Sequence, residues 1–363
     1  MTHQSMARNT NLIAASKAKE DEFYTRMADI TDELYHYRRF FEDKIVLCNC
    51  DDPYESNFFK FFALKFNSWK LKKLICTCYN GSSIAGNELP FEELKEQTKR
   101  KAYKYELTEV SDLNGDGATD LTDVKLFLEK NPPELLKGNG SFDSPECIAL
   151  LDEADIVVTN PPFSRFRDYI NLLVEHNKQF LIIGNQNNIT YKDVFPLIKE
   201  NKVWLGYNAG RMKFVIPRIY DTSKKNIKIM PDGTIISSMG NTCWFTNLPH
   251  NRRKEDIDLF RTYDPVSYPK FDNYDAIFVK SYGDIPVDYD GCMAVPPDFI
   301  LHYNPEQFEI LGITDRDNNS GQKTKVYTKA DAPNYSDLNR RGVLKIGSSY
   351  KPCWPTIIIR KKL

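Results

Sequence analysis

Four consecutive residues, Asn160-Pro161-Pro162-Phe163, carry the clearest chemistry in this chain of 363 residues. The Asn160 side-chain oxygen and the Pro161 carbonyl can together accept the hydrogens of one exocyclic amine, while Phe163 offers a flat face for a base. Two adjacent prolines stop either a strand or a helix at this point. The β-branched run before them (Ile156, Val157, Val158) predicts a buried parallel strand that starts after Asp155. Open α/β sheets bind ligands just beyond strand carboxyl ends, which is where this tetrapeptide stands. Taken alone, it is also compatible with a plain strand-ending turn.

Such a site needs neighbouring strands. Lys44-Ile-Val-Leu-Cys-Asn49 predicts a first strand, Cys50-Asp-Asp-Pro-Tyr-Glu-Ser-Asn57 a loop, Phe58, Phe62 and Phe66 a helix, and Leu74-Ile-Cys-Thr-Cys78 a second strand. That is strand, helix, strand at the length of a βαβ unit. Residues 1–16 are expected to be disordered, and Phe23, Met27, Ile30, Leu34, Tyr37 and Phe41 predict an amphipathic helix from Lys17 onward. A short helix (Ile148 to Glu153) precedes the central strand, and Phe166, Tyr169, Ile170 and Leu173 mark a helix after it. Phe180-Leu-Ile-Ile-Gly184 predicts another buried strand, with Val194, Leu197 and Ile198 on a helix beyond. Val203–Tyr207, Met212–Ile216 and Thr242–Thr246 predict strands close enough in sequence to pair antiparallel. The expected organisation is a doubly wound α/β sheet with an antiparallel edge over 17–250. Residues 251–363, rich in Pro, Asp and Tyr, form a second region.

Residues 80–140 are charged, contain glycine and lack a strong strand signal, so they are expected to be an insertion. Inside it, Asp112, Asn114, Asp116, Asp120 and Asp123 stand at positions 1, 3, 5, 9 and 12 of a calcium-type loop, with Gly117 at position 6 and the Ala118 carbonyl at position 7. Asp123 replaces the longer glutamate usual at position 12, and no second loop of the kind follows. The bland alternative is an acidic turn that binds nothing.

The length accommodates two domains, and 41% hydrophobic with 27% charged residues is the balance of a soluble globular protein. No window approaches eighteen apolar residues and the polar N-terminus lacks a signal-peptide core, so a cytoplasmic protein without a membrane segment is expected. Four of eight cysteines form the pairs Cys48/Cys50 and Cys76/Cys78, whose spacing suits strand-face thiols better than a zinc knuckle. Net charge is −1, but residues 318–363 hold ten basic side chains against Asp331 and Asp337. Interleaved with Tyr327, Tyr335, Tyr350 and Trp354, they read as a surface that tracks phosphates, or as an ordinary solvated face.

Several stretches together resemble the EcoRI-type adenine-N6 DNA methyltransferases: Asp21-Glu-Phe-Tyr-Thr25, Cys48-Asn-Cys-Asp-Asp-Pro53 with Ser56-Asn-Phe-Phe59, and Thr159-Asn-Pro-Pro-Phe-Ser164. Ile183-Gly-Asn-Gln186, Gly240-Asn-Thr-Cys-Trp-Phe-Thr-Asn247 and Asp288-Tyr-Asp-Gly291 extend the likeness from about residue 17 to 310. The resemblance implies a class I methyltransferase fold of Rossmann-like type, S-adenosylmethionine as cofactor, and adenine in double-stranded DNA as target. It assigns the target amine to Asn160 and Pro161, with Pro162 in the same motif, and stacking of a flipped-out adenine to Phe163. It assigns the cofactor to Tyr24 and Thr25 at the methionine end, to Asn49, Asp51, Asp52, Pro53 and Asn57 around the first-strand loop, and to Asp143 on the adenine side. Two features depart from most amino-methyltransferases: the cofactor loop has no glycine, and Cys78-Tyr79-Asn80 replaces the acidic residue that usually ends the second strand. An endonuclease sharing the recognition site is an implied partner, and a monomer is expected. DNA contacts are expected over 251–363 and around Asn187 to Thr190 and Asn208 to Lys213, with Arg211, Arg340 and Arg341 as candidates. Methylation of RNA adenine or of a protein glutamine, and a non-catalytic DNA-binding relative, are the alternatives.

Overall fold

The computed structural model describes residues 24–50, 52–54, 56–80, 101–208, 212–216, 227–231, 234–239 and 241–362. The chain divides into two units, residues 1–186 with 208–248, and residues 187–207 with 249–363. The first unit contains β1 (Tyr24–Thr25), α1 (Met27–Leu34), β2 (Ile45–Cys48), α2 (Asn57–Lys65), β3 (Lys73–Cys78) and β4 (Tyr103–Leu107). It continues through α3 (Leu121–Lys130), β5 (Glu134–Leu135), α4 (Pro145–Glu153), β6 (Ile156–Thr159), α5 (Phe166–Glu175) and β7 (Gln179–Asn185). After α6 (Phe195–Lys199) and β8 (Trp204–Leu205) of the second unit, β9 (Met212–Ile216), β10 (Ile227–Ile229), β11 (Ile235–Met239) and β12 (Thr242–Thr246) complete the first.

The strands of its central sheet run in the order β5-β4-β3-β2-β6-β7-β12. β3, β2, β6 and β7 are mutually parallel, and β4 and β12 join them antiparallel on either side. Val46–Cys48, Ile156–Thr159 and Phe180–Ile183 are buried throughout, as parallel strands shielded on both faces are. Asp155 sets the register where β6 begins. Its N–H donates to the Ile45 carbonyl at 2.9 Å, and its carboxylate accepts the Ile45 N–H at 2.9 Å. The result is a mixed α/β sheet.

Three expectations need correction. Residues 80–140 are not strandless, because β4 and β5 extend the central sheet. Tyr103, Tyr105 and Leu107 alternate with Lys104 and Glu106, the pattern of a half-buried strand. The charges that disguised it form a ladder, with Lys73 on Glu106 and Lys104 on both Glu106 and Glu134. Secondly, the helix expected through Phe41 is regular only to Leu34 and tightens into a 3-10 stretch over Tyr35–Phe40; its predicted beginning lies outside the described residues, as do residues 1–16. Thirdly, β9 pairs not with β12 but with β1 and β11, in a sheet of order β1-β9-β11-β10.

In the second unit, β13 (Ile277–Phe278), β14 (Met293–Val295), β15 (Phe308–Ile313) and β18 (Ile357–Lys361) form a sheet in the order β13-β14-β18-β15. β16 (Val343–Ile346) and β17 (Ser349–Pro352) form a hairpin behind the short α7 (Tyr335–Leu338). Phe271, Tyr274, Phe278, Ala294, Leu344 and Ile358 share a core cluster, so hairpin and sheet are packed as one body. Among the described residues, no helix is long and apolar enough to cross a membrane.

Candidate active site

β6 ends at Thr159 and delivers Asn160 and a buried Pro161 at its carboxyl end. Phe163–Arg165 then make a single 3-10 turn, closed by the Arg165 N–H on the Pro162 carbonyl at 2.9 Å, and α5 starts at Phe166. This short passage from strand to helix requires α5 to approach the sheet closely. Gly184 of β7 permits it, since a Cβ there would lie 2.4 Å from the Phe166 ring. Phe163 meets Phe214 of β9 edge-on, with ring centroids 6.5 Å apart and planes at 84°. Phe214 is fully buried and stands opposite Thr25 in the β1–β9 pair. It links the turn after β6 to a residue that the resemblance assigns to the cofactor. Its sequence context, Met-Lys-Phe-Val-Ile, signalled only a strand.

At the carboxyl end of β2, Asn49 is buried. Its Oδ1 accepts the Tyr169 hydroxyl from α5, whereas its Nδ2 finds no hydrogen-bond partner among the described residues. Thr25 Oγ1 is likewise buried and without one. The Thr25 carbonyl accepts Asn57 Nδ2 at 2.8 Å, and Asn57 opens α2 behind Ser56, whose hydroxyl caps the Phe58 and Phe59 N–H groups at 3.1 and 3.4 Å. Buried polar atoms without partners are costly, and an amide donor and a hydroxyl left in this state are groups that the amino-acid end of S-adenosylmethionine could satisfy. The residues present fit that group.

Asp143 belongs to the same neighbourhood. Its carboxylate accepts the Ser141 hydroxyl and, at 2.8 Å, Arg165 Nη2 from the turn after Phe163. Both interactions hold it below the usual carboxylate range. The Arg165 guanidinium lies 4.5 Å over the Phe142 ring, and Phe142 packs edge-on against Tyr169 with centroids 4.8 Å apart. One chain of contacts thus runs from Asp143 through Arg165, Phe142 and Tyr169 to Asn49. Arg165, Phe142 and Tyr169 had no chemical signature in the sequence.

Asp52 faces inward. Its Oδ1 accepts the Tyr54 N–H at 2.9 Å, and its Oδ2 accepts the Tyr103 hydroxyl at 2.7 Å and the Cys78 thiol at 3.8 Å. Pro53 is buried beside it. Asp51 lies outside the described residues, and only the backbone of Tyr24 is described. All eight cysteines are free thiols.

The acidic loop before α3 is closed by its own backbone. Asp112 accepts the N–H groups of Gly115, Asp116 and Gly117, while Asp123 accepts those of Leu113, Asn114 and Asp120. Asp120 and Asp123 form a capping box on α3, and Gly115 and Gly117 hold φ of +77° and +89°. Asn114 and Asp116 bond to each other, and the Ala118 N–H donates to Asp116. Both oxygens of Asp123 are committed to amides. Among the described residues, no group of three or more His, Cys, Asp or Glu is arranged to hold a metal ion.

Of the DNA-contact candidates, Arg211 lies outside the described residues, Arg340 is exposed, and Arg341 pairs with Asp337 at 3.4 Å. The basic stretch is less available than its composition suggests. Lys325 binds Asp272 at 2.8 Å, Arg360 binds Glu309 and Lys361 binds Asp290. Tyr327 is buried, with its hydroxyl on Asp272, so it is a core residue rather than a stacking surface. Trp354 is 51% exposed.

The likeness to known proteins runs along nearly the whole chain. A family model described as adenine-specific methyltransferase EcoRI matches residues 11–362. The chain is 45% identical over 330 residues to the type II methyltransferase M.EcoRI of Escherichia coli, covering 86% of this chain and 94% of that one. It is 40% identical to the type II methyltransferase M.MpnI of Mycoplasma pneumoniae, over 82% of this chain and 83% of the relative. M.MgeORF184P of Mycoplasma genitalium, also a type II methyltransferase, is 37% identical over 82% of this chain and 84% of its own. No solved structure matches the chain.

Proposed function

The chain belongs to the EcoRI family of adenine-specific DNA methyltransferases, and from that premise we propose that it methylates N6 of one adenine within a specific duplex sequence. The observation that carries the reading is Asn160-Pro161 at the carboxyl end of β6, with Phe163 braced on Phe214. In this reading the unit holding the turn is a class I methyltransferase fold. S-adenosylmethionine supplies a methyl group on a positively charged sulfur, which needs only an aligned nucleophile.

The residues provide that alignment. Asn160 Oδ1 and the Pro161 carbonyl accept hydrogens of the adenine amine, drawing the nitrogen lone pair out of conjugation and aiming it at the methyl. Phe163 stacks on the base, which must leave the duplex to reach the turn. Thr25, Asn49, Pro53 and Asn57, with Tyr24 and Asp51, hold the cofactor, and Asp143 faces its adenine side. Transfer is direct, so no thiol has to act as a nucleophile; burial pushes the Cys147 and Cys243 thiols up, toward the protonated form.

Residues 251–363, with Asn187 to Thr190, read the duplex in this proposal. Arg340, with Lys345 and Lys351 on the β16–β17 hairpin, is exposed for phosphate contact. A monomer working in the cytoplasm, alongside an endonuclease of the same specificity, completes the reading. Calcium at 112–123 would have to draw Asp123 away from three amides, and a melting temperature that rises with added calcium would support it.

The direct test is incubation with labelled S-adenosylmethionine and unmethylated duplex DNA, followed by digestion to nucleosides. Label in N6-methyladenine is expected. Label only in RNA, or only in a protein glutamine, would reassign the amine, and no label from folded protein would leave a non-catalytic relative.

A further inference from the structure

The cofactor loop lacks the glycines that let a backbone close around a ligand, and β3 ends without a carboxylate. The structure shows what stands in their place. Tyr103 of β4, with no exposed surface, donates its hydroxyl to Asp52 at 2.7 Å, and Cys78 at the end of β3 reaches the same oxygen at 3.8 Å. Two residues along β4, the Tyr105 hydroxyl meets that of Tyr54 at 2.5 Å, and both face the Leu128 carbonyl of α3 at 3.4 Å. Tyr54 closes the circuit, because its N–H donates to the other oxygen of Asp52 at 2.9 Å.

We propose that Tyr103, supported by the Tyr54–Tyr105 pair, is the positioning residue of the cofactor loop: a buried phenol–carboxylate latch fixes Asp52-Pro53-Tyr54 in the shape that presents its backbone to S-adenosylmethionine. This rests on the assignment of that loop to the cofactor. In this arrangement Asp52 acts inward, on the loop, and β4 is part of the cofactor site although no β4 side chain touches the cofactor. Charge-assisted hydrogen bonds in a buried setting are the strong ones, and a carboxylate held from two sides has one geometry rather than several.

The test measures cofactor affinity by titration calorimetry, with steady-state kinetics on duplex DNA, for the full chain and for Tyr103→Phe, Asp52→Asn, Tyr105→Phe and Asn57→Ala. Tyr103→Phe removes one hydroxyl and leaves the ring. The latch predicts that it weakens S-adenosylmethionine binding by about tenfold and raises the cofactor KM alike. At saturating cofactor, kcat should stay within about twofold, and DNA affinity should not change. Asp52→Asn should weaken cofactor binding at least as much, and Tyr105→Phe should show a smaller effect of the same kind as Tyr103→Phe. If Tyr103→Phe and Asp52→Asn bind cofactor as the parent does while Asn57→Ala binds it weakly, the latch is wrong and the loop assignment stands. If Asn57→Ala also binds normally, the assignment itself fails. Equal losses in kcat, DNA affinity and cofactor affinity would overturn the proposal in favour of a purely structural role. A Tyr103→Phe chain that did not fold would leave Tyr105→Phe and Asp52→Asn to decide.

Discussion

The two loops at the carboxyl edge of the central sheet are built in opposite ways. The turn after β6, proposed to bind the target amine, is stiff because of its own residues: two prolines, a 3-10 turn closed on Pro162, and a helix that starts three residues after Phe163. The loop after β2 has one proline and takes its shape from distant residues, with Asp52 held by Cys78 and Tyr103 and Tyr54 held by Tyr105 and α3. A turn that must present two acceptors at fixed spacing benefits from covalent rigidity. A loop proposed to admit and release a cofactor can be held by hydrogen bonds that reform. Target and cofactor chemistry should therefore be separable by mutation.

The largest effect is expected at the turn. Asn160→Ala should lower kcat by at least about a hundredfold, the scale on which a single hydrogen-bonding group of an active site counts, as single-turnover methyl transfer would register. Phe163→Ala should weaken productive DNA binding by about tenfold to a hundredfold, in line with about 1–3 kcal/mol for a base stacked on an aromatic ring; a DNA KM within twofold of the parent would remove Phe163 from the target site.

How much of this contrast could be read from the sequence follows from the contrast itself. Asn160 to Phe163 and the apolar β6 were legible because their causes lie within a few residues. Tyr103 was not, because its partner Asp52 is fifty-one positions away in the chain, and because Lys104 and Glu106 made β4 look like a polar insertion. Tyr169 read only as part of a helix face and Arg165 carried no signal, and only folding brings them to Asn49 and Asp143. The basic C-terminal stretch was misleading in the other direction, since composition cannot show that Lys325 and Tyr327 are consumed by Asp272.

A smaller effect concerns α3, which braces the loop after β2. Asp123→Ala removes half of the α3 capping box and should lower the melting temperature. A parent protein whose melting temperature is unmoved by chelator, with a destabilised Asp123→Ala, would mark the carboxylate as a cap rather than a metal ligand.

The least effect is one of pH. Burial raises the Tyr103 and Tyr105 phenols and pushes Tyr54 up to about 12 from an ordinary value of 10.0. A group raised in the folded state contributes stability that is intact below its unfolded value and is lost as pH rises through the folded one. Stability should hold to about pH 10 and fall above it. Tyr103→Phe should soften that fall, and an unchanged alkaline slope would place the ionising groups elsewhere.

The decisive measurement crosses the two loops. S-adenosylmethionine affinity and the single-turnover rate of methyl transfer to duplex DNA would be determined for Asn160→Ala and for Tyr103→Phe in parallel. Separate roles predict that Asn160→Ala loses the rate and keeps the affinity, while Tyr103→Phe loses affinity and keeps the rate at saturating cofactor. Loss of affinity and rate together in both variants would contradict it, and would mean that the turn and the loop form a single site.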